Sequence, residues 1–466
     1  MAEIPAMVRK VKDIGARNEV TIAVVGHAGD GNLHVTFLGD ESNQEEMVRM
    51  EIAMEEVFLA ALSLKGVLSG EHGIGKLKAK FLTPNMEYLM SLCLSCKACA
   101  QECPGGVLTD ELVEAARAEL VQQKGLGTIK SILFRFLMRH NWLFDTSLKL
   151  GSILQPLFLR PGPGGKGKLP RLPLGLDQRR LVQPLAGKFL KSELPPKIRT
   201  NKKFQGRVAF FTGCMINYVY PSFGIAVVKS LVANGFEVII PSNQQCCGTP
   251  ARVNGDLETA RVLATANLKE FSKLEVDAVI TACASCGLAL KKEFAKILEE
   301  DHQLHPQALR LGDKVQDFSE FIMKLDNWQE GLGEVPIKVT YHDPCHLKRG
   351  QGIADFPRQL LKAVPGVELV EMQEADRCCG AAGSFSLYHY PLSQQINDRK
   401  SANIINTGAD CLVSACGSCL MHIRDGLVRN NSSIHTLHLA EVLALSYEKG
   451  GKEVRDKPAP ALTSLG

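Results

Sequence analysis

Cysteine spacing constrains this chain more than any other feature. Cys214, Cys246-Cys247-Gly248 and Cys283-x-x-Cys286 recur as Cys345, Cys378-Cys379-Gly380 and Cys416-x-x-Cys419, with gaps of 31 and 35 residues in the first copy and 32 and 36 in the second. Such matched counting marks a duplicated unit. A third group, Cys93-x-x-Cys96-x-x-Cys99-x-x-x-Cys103-Pro104, precedes both, and of the 15 cysteines Cys411 alone fits no group and reads as a core residue. The N-terminus carries no apolar run with a small-residue cleavage site, so a reducing, cytoplasmic setting is expected. There, cysteines grouped by spacing bind metals rather than pair as disulfides.

Every cysteine group of the duplication follows a short apolar strand, as at Val208–Thr212, Ala278–Thr281, Ile337–Tyr341 and Cys411–Ser414, with helical patterns between. Strands alternating with helices predict the α/β class, here tandem Rossmann-like units with parallel sheets. Ligands of such sheets sit beyond the carboxyl ends of the strands. Cys214, Cys246, Cys247, Cys283 and Cys286 are therefore expected at one sheet edge, and Cys345, Cys378, Cys379, Cys416 and Cys419 at another.

The remaining chain divides by composition. Residues 1–82 read as α+β, with a strand over Glu19–Val25, a helix over Gln44–Lys65 and two Gly/His loops. Residues 83–150 read as helical around the tight cysteine run. The prolines of 151–205 exclude long helices and central strands and predict a wrapping linker. The two repeat units occupy 206–334 and 335–447, and a flexible tail is expected over 448–466. A net charge of +4, with no basic run interleaved with aromatics, argues against a nucleic-acid partner. No run of about 18 apolar residues is present.

Thiolates spaced as in Cys93, Cys96, Cys99 and Cys103 wrap a cubane [4Fe–4S] cluster, and the following proline turns the chain away. Zinc sites more often join two distant cysteine pairs. Five soft donors in each repeated array suit iron–sulfur or zinc, and the glycine after each cysteine pair permits close backbone approach. Near the N-terminus, Gly26-His27-Ala28-Gly29-Asp30-Gly31-Asn32-Leu33-His34 and Gly70-Glu71-His72-Gly73-Ile74-Gly75 gather imidazoles and a carboxylate at glycine turns. Those groups suit a divalent metal acting as a Lewis acid.

On these motifs, residues 206–447 resemble the cysteine-rich (CCG) tandem domains of heterodisulfide reductases, glycolate oxidase iron–sulfur subunits and lactate-utilisation proteins. The segment from Cys93 resembles the ferredoxin part that precedes them. The resemblance implies a metal centre at each array, a non-cubane [4Fe–4S] cluster or zinc. This chain has one ferredoxin run where such proteins carry two, which leaves the number of clusters open.

Residues 1–82 resemble the C-terminal end of flavin-linked oxidases of the D-lactate, D-2-hydroxyglutarate and glycolate type. That resemblance implies His27, His34 and Glu71 as ligands of a metal that orients a 2-hydroxy acid. It implies His72 as the base, and Asn32 near substrate or flavin. The FAD-binding part of that family would have to come from another domain or subunit.

The expected function is an iron–sulfur electron-transfer subunit of a flavin-dependent 2-hydroxy-acid (D-lactate or glycolate) dehydrogenase. Its acceptor would be a quinone, an electron-transfer flavoprotein or similar. The alternatives are a heterodisulfide- or thiol-type reductase subunit and a zinc-stabilised interaction module. The amphipathic stretch Ile129–Leu159 is expected to pack on the chain's own cluster domain, the cytoplasmic face of a membrane being the alternative.

Overall fold

The computed structural model describes residues 3–27, 31–64, 66, 68, 84–163, 167–171 and 177–451. The chain separates into two compact units, Met1–Ser91 with Leu108–Gly125, and Leu92–Val107 with Leu126–Gly466. This division cuts through the segment 83–150. The helix Thr109–Lys124 belongs to the first unit and the tight cysteine run to the second.

In the first unit, β1 (Thr21–His27) and β2 (Asn32–Leu38) form an antiparallel hairpin pairing Val25 with His34 and His27 with Asn32. The strand thus begins two residues later than Glu19 and reaches His27. The helix Gln44–Ser63 follows, its first turn capped by Asn43, which accepts from the Glu46 amide. A helix beyond the expected elements, Ile4–Arg17, closes the layer, with Met7, Val11 and Ile14 at helical spacing on its inner face. Val11, Ile14, Val20, Ala53 and Val57 form the buried centre between helices and hairpin.

The second unit opens with short elements, including the pair β3 (Leu159–Pro161) and β4 (Lys168–Pro170) and the edge strand β5 (Lys197–Ile198). A five-stranded sheet then forms from β5, β6 (Gly206–Phe211), β7 (Phe236–Ile239), β8 (Ala278–Thr281) and β9 (Val315–Asp317), in the order β5-β7-β6-β8-β9. Only β5 runs antiparallel. The second copy forms a wholly parallel sheet from β10 (Ile337–Tyr341), β11 (Val367–Leu369), β12 (Cys411–Ser414) and β13 (His435–His438), in the order β11-β10-β12-β13. The strands are short, nearly continuous apolar runs because helices cover both faces. Strands β5, β9 and β13 extend the alternation beyond what the cysteine-flanking pattern revealed.

Strand periodicity decides how the halves join. On β6 and β8, Val208, Phe210 and Ile280 face a core shared with Val339, Tyr341 and Leu412 of the second sheet. Ala209, Phe211 and Val279 face the opposite way, into a separate cluster. The helices Pro221–Ala233 and Leu439–Lys449 pack together, and Asn234 Nδ2 donates to Tyr447 Oη at 2.9 Å. Cys411 lies in the shared core, fully buried.

The proline-rich stretch wraps the second unit. Leu181 N donates to Asp425 Oδ1 at 2.9 Å, Ala186 N to Tyr218 O at 2.8 Å and Lys191 N to Asn217 Oδ1 at 3.1 Å. From the amphipathic stretch, Phe134 and Met138 enter the first repeat's core, with Phe144 packed against it. Ile129, Trp142, Ile153 and Leu157 remain exposed. Among the described residues no helix is long and apolar enough to cross a membrane.

Candidate metal centres

The leading cysteine of each array follows the strand at which the sheet order reverses direction. Cys214 follows β6, whose neighbours are β7 and β8, and Cys345 follows β10, between β11 and β12. This is the crevice in which parallel α/β sheets hold ligands. Gly248 and Gly380, with φ of 80° and 88°, take the left-handed backbone needed to leave each cysteine pair. Helix side chains fix the pairs from behind. Asn267 donates to Cys246 O and accepts from Gln245 N, and Ser393 donates to Gly380 O.

The thiols form one connected series. Neighbouring thiols interact in turn, Cys214 with Cys246, Cys246 with Cys247, Cys247 with Cys286 and Cys286 with Cys283. Cys283 meets Cys416, and the series continues through Cys419 and Cys379 to Cys378, which Cys345 also meets. Cys96 of the tight run contacts Cys378 as well. Both five-cysteine sets therefore gather as expected. They do not lie at separate edges, because the shared core turns the crevices toward each other.

The tight run is fastened beside the second array. His346, directly after Cys345, bonds through Nε2 to Ser95 O at 3.1 Å and through Nδ1 to Ser285 Oγ at 2.9 Å. Arg349 Nε donates to Gln101 Oε1 at 3.0 Å. One imidazole thus touches a residue between Cys93 and Cys96 and another between Cys283 and Cys286. Within the run, the Ser95 amide points at Cys93 Sγ and the Val107 amide at Cys103 Sγ, while Cys99 is exposed. Amides aimed at sulfur stabilise thiolate.

Most of the series is sealed from water, with Cys246, Cys247, Cys283, Cys286, Cys379, Cys416 and Cys419 buried. Cys345 is pushed up by the neighbouring Cys378 thiol and by burial. Cys379 is held well below the usual thiol range by hydrogen bonds from Cys378 and Cys419, with Lys400 adding positive charge. A small cleft opens over Cys214 and Cys246, bordered by Lys191, Asn217, Tyr218 and Gln244.

One residue outside the cysteine spacing joins the second array. His342, at the end of β10, is 1% exposed, and one of its ring nitrogens lies within 4.8 Å of Cys379 Sγ and Cys419 Sγ. Its Nδ1 contacts Ala375 O at 3.1 Å, and its Nε2 has no hydrogen-bond partner. The signal was a break in the repeat. Three residues before the leading cysteine the first copy has Phe211, and the second has His342.

Buried thiols whose main partners are one another, with a bare imidazole nitrogen among them, are a donor set for soft metal. A cysteine-rich domain family model matches residues 208–291 and 339–424, and a model of the C-terminal domain of FAD-linked oxidases matches residues 1–89. The probable glycolate oxidase iron–sulfur subunit of Bacillus subtilis is 34% identical over 370 residues, covering 77% of this chain and 82% of that protein. The chain belongs to the glycolate oxidase iron–sulfur subunit family.

Like other members of that family it is an iron–sulfur electron-transfer subunit, and the thiol-reductase and zinc-module alternatives are not favoured. A lactate utilization protein from Geobacillus sp. is 34% identical over 51% of this chain and 98% of that protein. One component of the CoM/CoB fumarate reductase from Methanothermobacter marburgensis is 33% identical over 52% of this chain and 46% of its own length.

In the N-terminal unit, His27 and His34 meet on the hairpin with ring centroids 5.5 Å apart, and Asn32 pairs with His27 across the ladder. Glu71 and His72 lie outside the described residues.

Proposed function

We propose that this iron–sulfur subunit receives electrons from an FAD-containing partner that oxidises a 2-hydroxy acid such as D-lactate or glycolate. It would pass them to an acceptor of the quinone or electron-transfer flavoprotein class. The observation that carries the reading is the thiol series from Cys96 to Cys214, which crosses from the ferredoxin run through both arrays without a gap. Iron–sulfur clusters held there supply one-electron steps, which suits the splitting of a two-electron flavin oxidation.

In this reading Cys93, Cys96, Cys99 and Cys103 hold a cubane cluster, and the ten array cysteines hold two further centres of the non-cubane [4Fe–4S] kind. Contact between Cys96 and Cys378 supports an order with the second array next to the ferredoxin run and the first array last. The cleft over Cys214 is then where the acceptor approaches. His27, His34 and Asn32 of the hairpin, with Glu71 and His72, would bind and deprotonate the hydroxy acid. The match of an FAD-linked oxidase C-terminal model to residues 1–89 supports this.

Anaerobically purified full-length chain tests the reading by iron and acid-labile sulfide content with electron paramagnetic resonance. About 12 iron atoms per chain, at four per cluster, are expected. Reduction of the clusters by D-lactate or glycolate is expected only when the flavin partner is added. Zinc without sulfide would overturn the reading.

A further inference from the structure

His342 sets the two arrays apart chemically. Its Nδ1 faces Ala375 O at 3.1 Å, and a carbonyl can only accept, so Nδ1 carries the ring proton. Nε2 is left with a bare lone pair and no hydrogen-bond partner, and a ring nitrogen of His342 lies within 4.8 Å of Cys379 Sγ and Cys419 Sγ. A carbonyl behind one ring nitrogen is how metal-binding histidines are commonly held, because it fixes both the tautomer and the ring plane. Ala375 O is itself pinned. It also accepts from Asp343 N at 3.1 Å and from the buried Lys400 Nζ at 3.2 Å. Ser414 Oγ donates to His342 O at 3.0 Å and fixes the backbone.

A lone pair buried with no partner keeps the full penalty of its lost hydration. A thiol could relieve it only while keeping its proton, and a thiolate bound to metal has none to give. The first array has no such group, since its equivalent position is Phe211, whose ring lies in the core 5.6 Å from that of Phe271.

We infer that His342 Nε2 is a ligand to the centre held by Cys345, Cys378, Cys379, Cys416 and Cys419, making the second array a mixed sulfur–nitrogen site beside an all-sulfur first array. This rests on the reading that the arrays hold iron–sulfur centres.

The test is pulsed electron paramagnetic resonance on anaerobic full-length protein, poised across a reductive titration, from cells grown with ¹⁴N- or ¹⁵N-histidine. A strongly coupled nitrogen that changes isotope with the label is expected, and its loss in His342→Phe, which copies the first array. Cluster signals without histidine nitrogen coupling at any potential, or coupling that survives in His342→Phe, would overturn the assignment. If the variant does not fold, the isotope comparison in the unaltered chain still decides it. Protein without iron or cluster signals would instead remove the reading beneath the assignment, and with it the assignment.

Discussion

Cys283 of the first repeat touches Cys416 of the second, so β8 and β12 deliver their Cys-x-x-Cys turns to the same place. His438, at the end of β13, reaches across the same seam and bonds through Nε2 to Ala282 O at 3.0 Å. The duplication therefore yields one buried site with two lobes, and the seam is where the lobes should sense each other.

A change at either seam cysteine is expected to register at both centres. Cys283→Ser and Cys416→Ser should each lower iron content by the share of one centre. Each should also alter the paramagnetic line shape of the centre that remains. Iron assay and resonance spectra on the same sample check this, and an unaltered second signal would mean that the lobes are independent.

Arg358 forms a two-pronged ion pair with Asp343, Nη1 to Oδ1 at 2.7 Å and Nη2 to Oδ2 at 2.8 Å, and Asp343 is 2% exposed. Asp343 sits between His342 and Cys345 in the turn that positions the second array. Arg358→Met strands a buried carboxylate and is expected to cost about 3–5 kcal/mol. Denaturation should show most of that loss recovered in the Arg358→Met/Asp343→Asn double variant.

Gly248→Ala and Gly380→Ala offer a graded comparison. Both force a side chain into the left-handed region, at about 1–2 kcal/mol. At Gly380 the added methyl would also lie 2.9 Å from Ser393 O and 3.2 Å from Ile396 Cβ, whereas at Gly248 its nearest neighbour is 3.4 Å away. Gly380→Ala should show the larger fall in melting temperature and the greater loss of iron.

Burial raises the Asp317 carboxyl from 3.8 to about 6, and its Oδ2 lacks a partner. Between about pH 4 and 6 the unfolded chain gives up this proton while the folded chain keeps it. Stability from this group is thus full below about pH 4 and lost as pH rises to about 6. Asp317→Asn should gain on the unaltered chain across that window and hold a constant advantage above it. Paired melting curves from pH 4 to 8 measure the difference, in which other titrating groups cancel.

The sequence by itself determined the duplication, the parallel α/β class and the cysteine groups. Strand alternation and ligand spacing are local patterns, and local patterns survive in one dimension. Helix and strand limits moved by a few residues, and the helix Ile4–Arg17, beyond the expected elements, was legible in the spacing of Met7, Val11 and Ile14. Tertiary structure alone decided that Val208 and Phe210 share a core with Val339 and Tyr341, which turns two crevices into one site. It also decided that Cys96 meets Cys378 and that His346 joins Ser95 to Ser285. These contacts join residues dozens to hundreds of positions apart, and burial of apolar faces fixes them, which spacing along the chain does not encode. His342 falls between the two. The break in the repeat was written in the sequence, but its meaning, an imidazole nitrogen without a partner among thiols, exists only once the chain has folded around it.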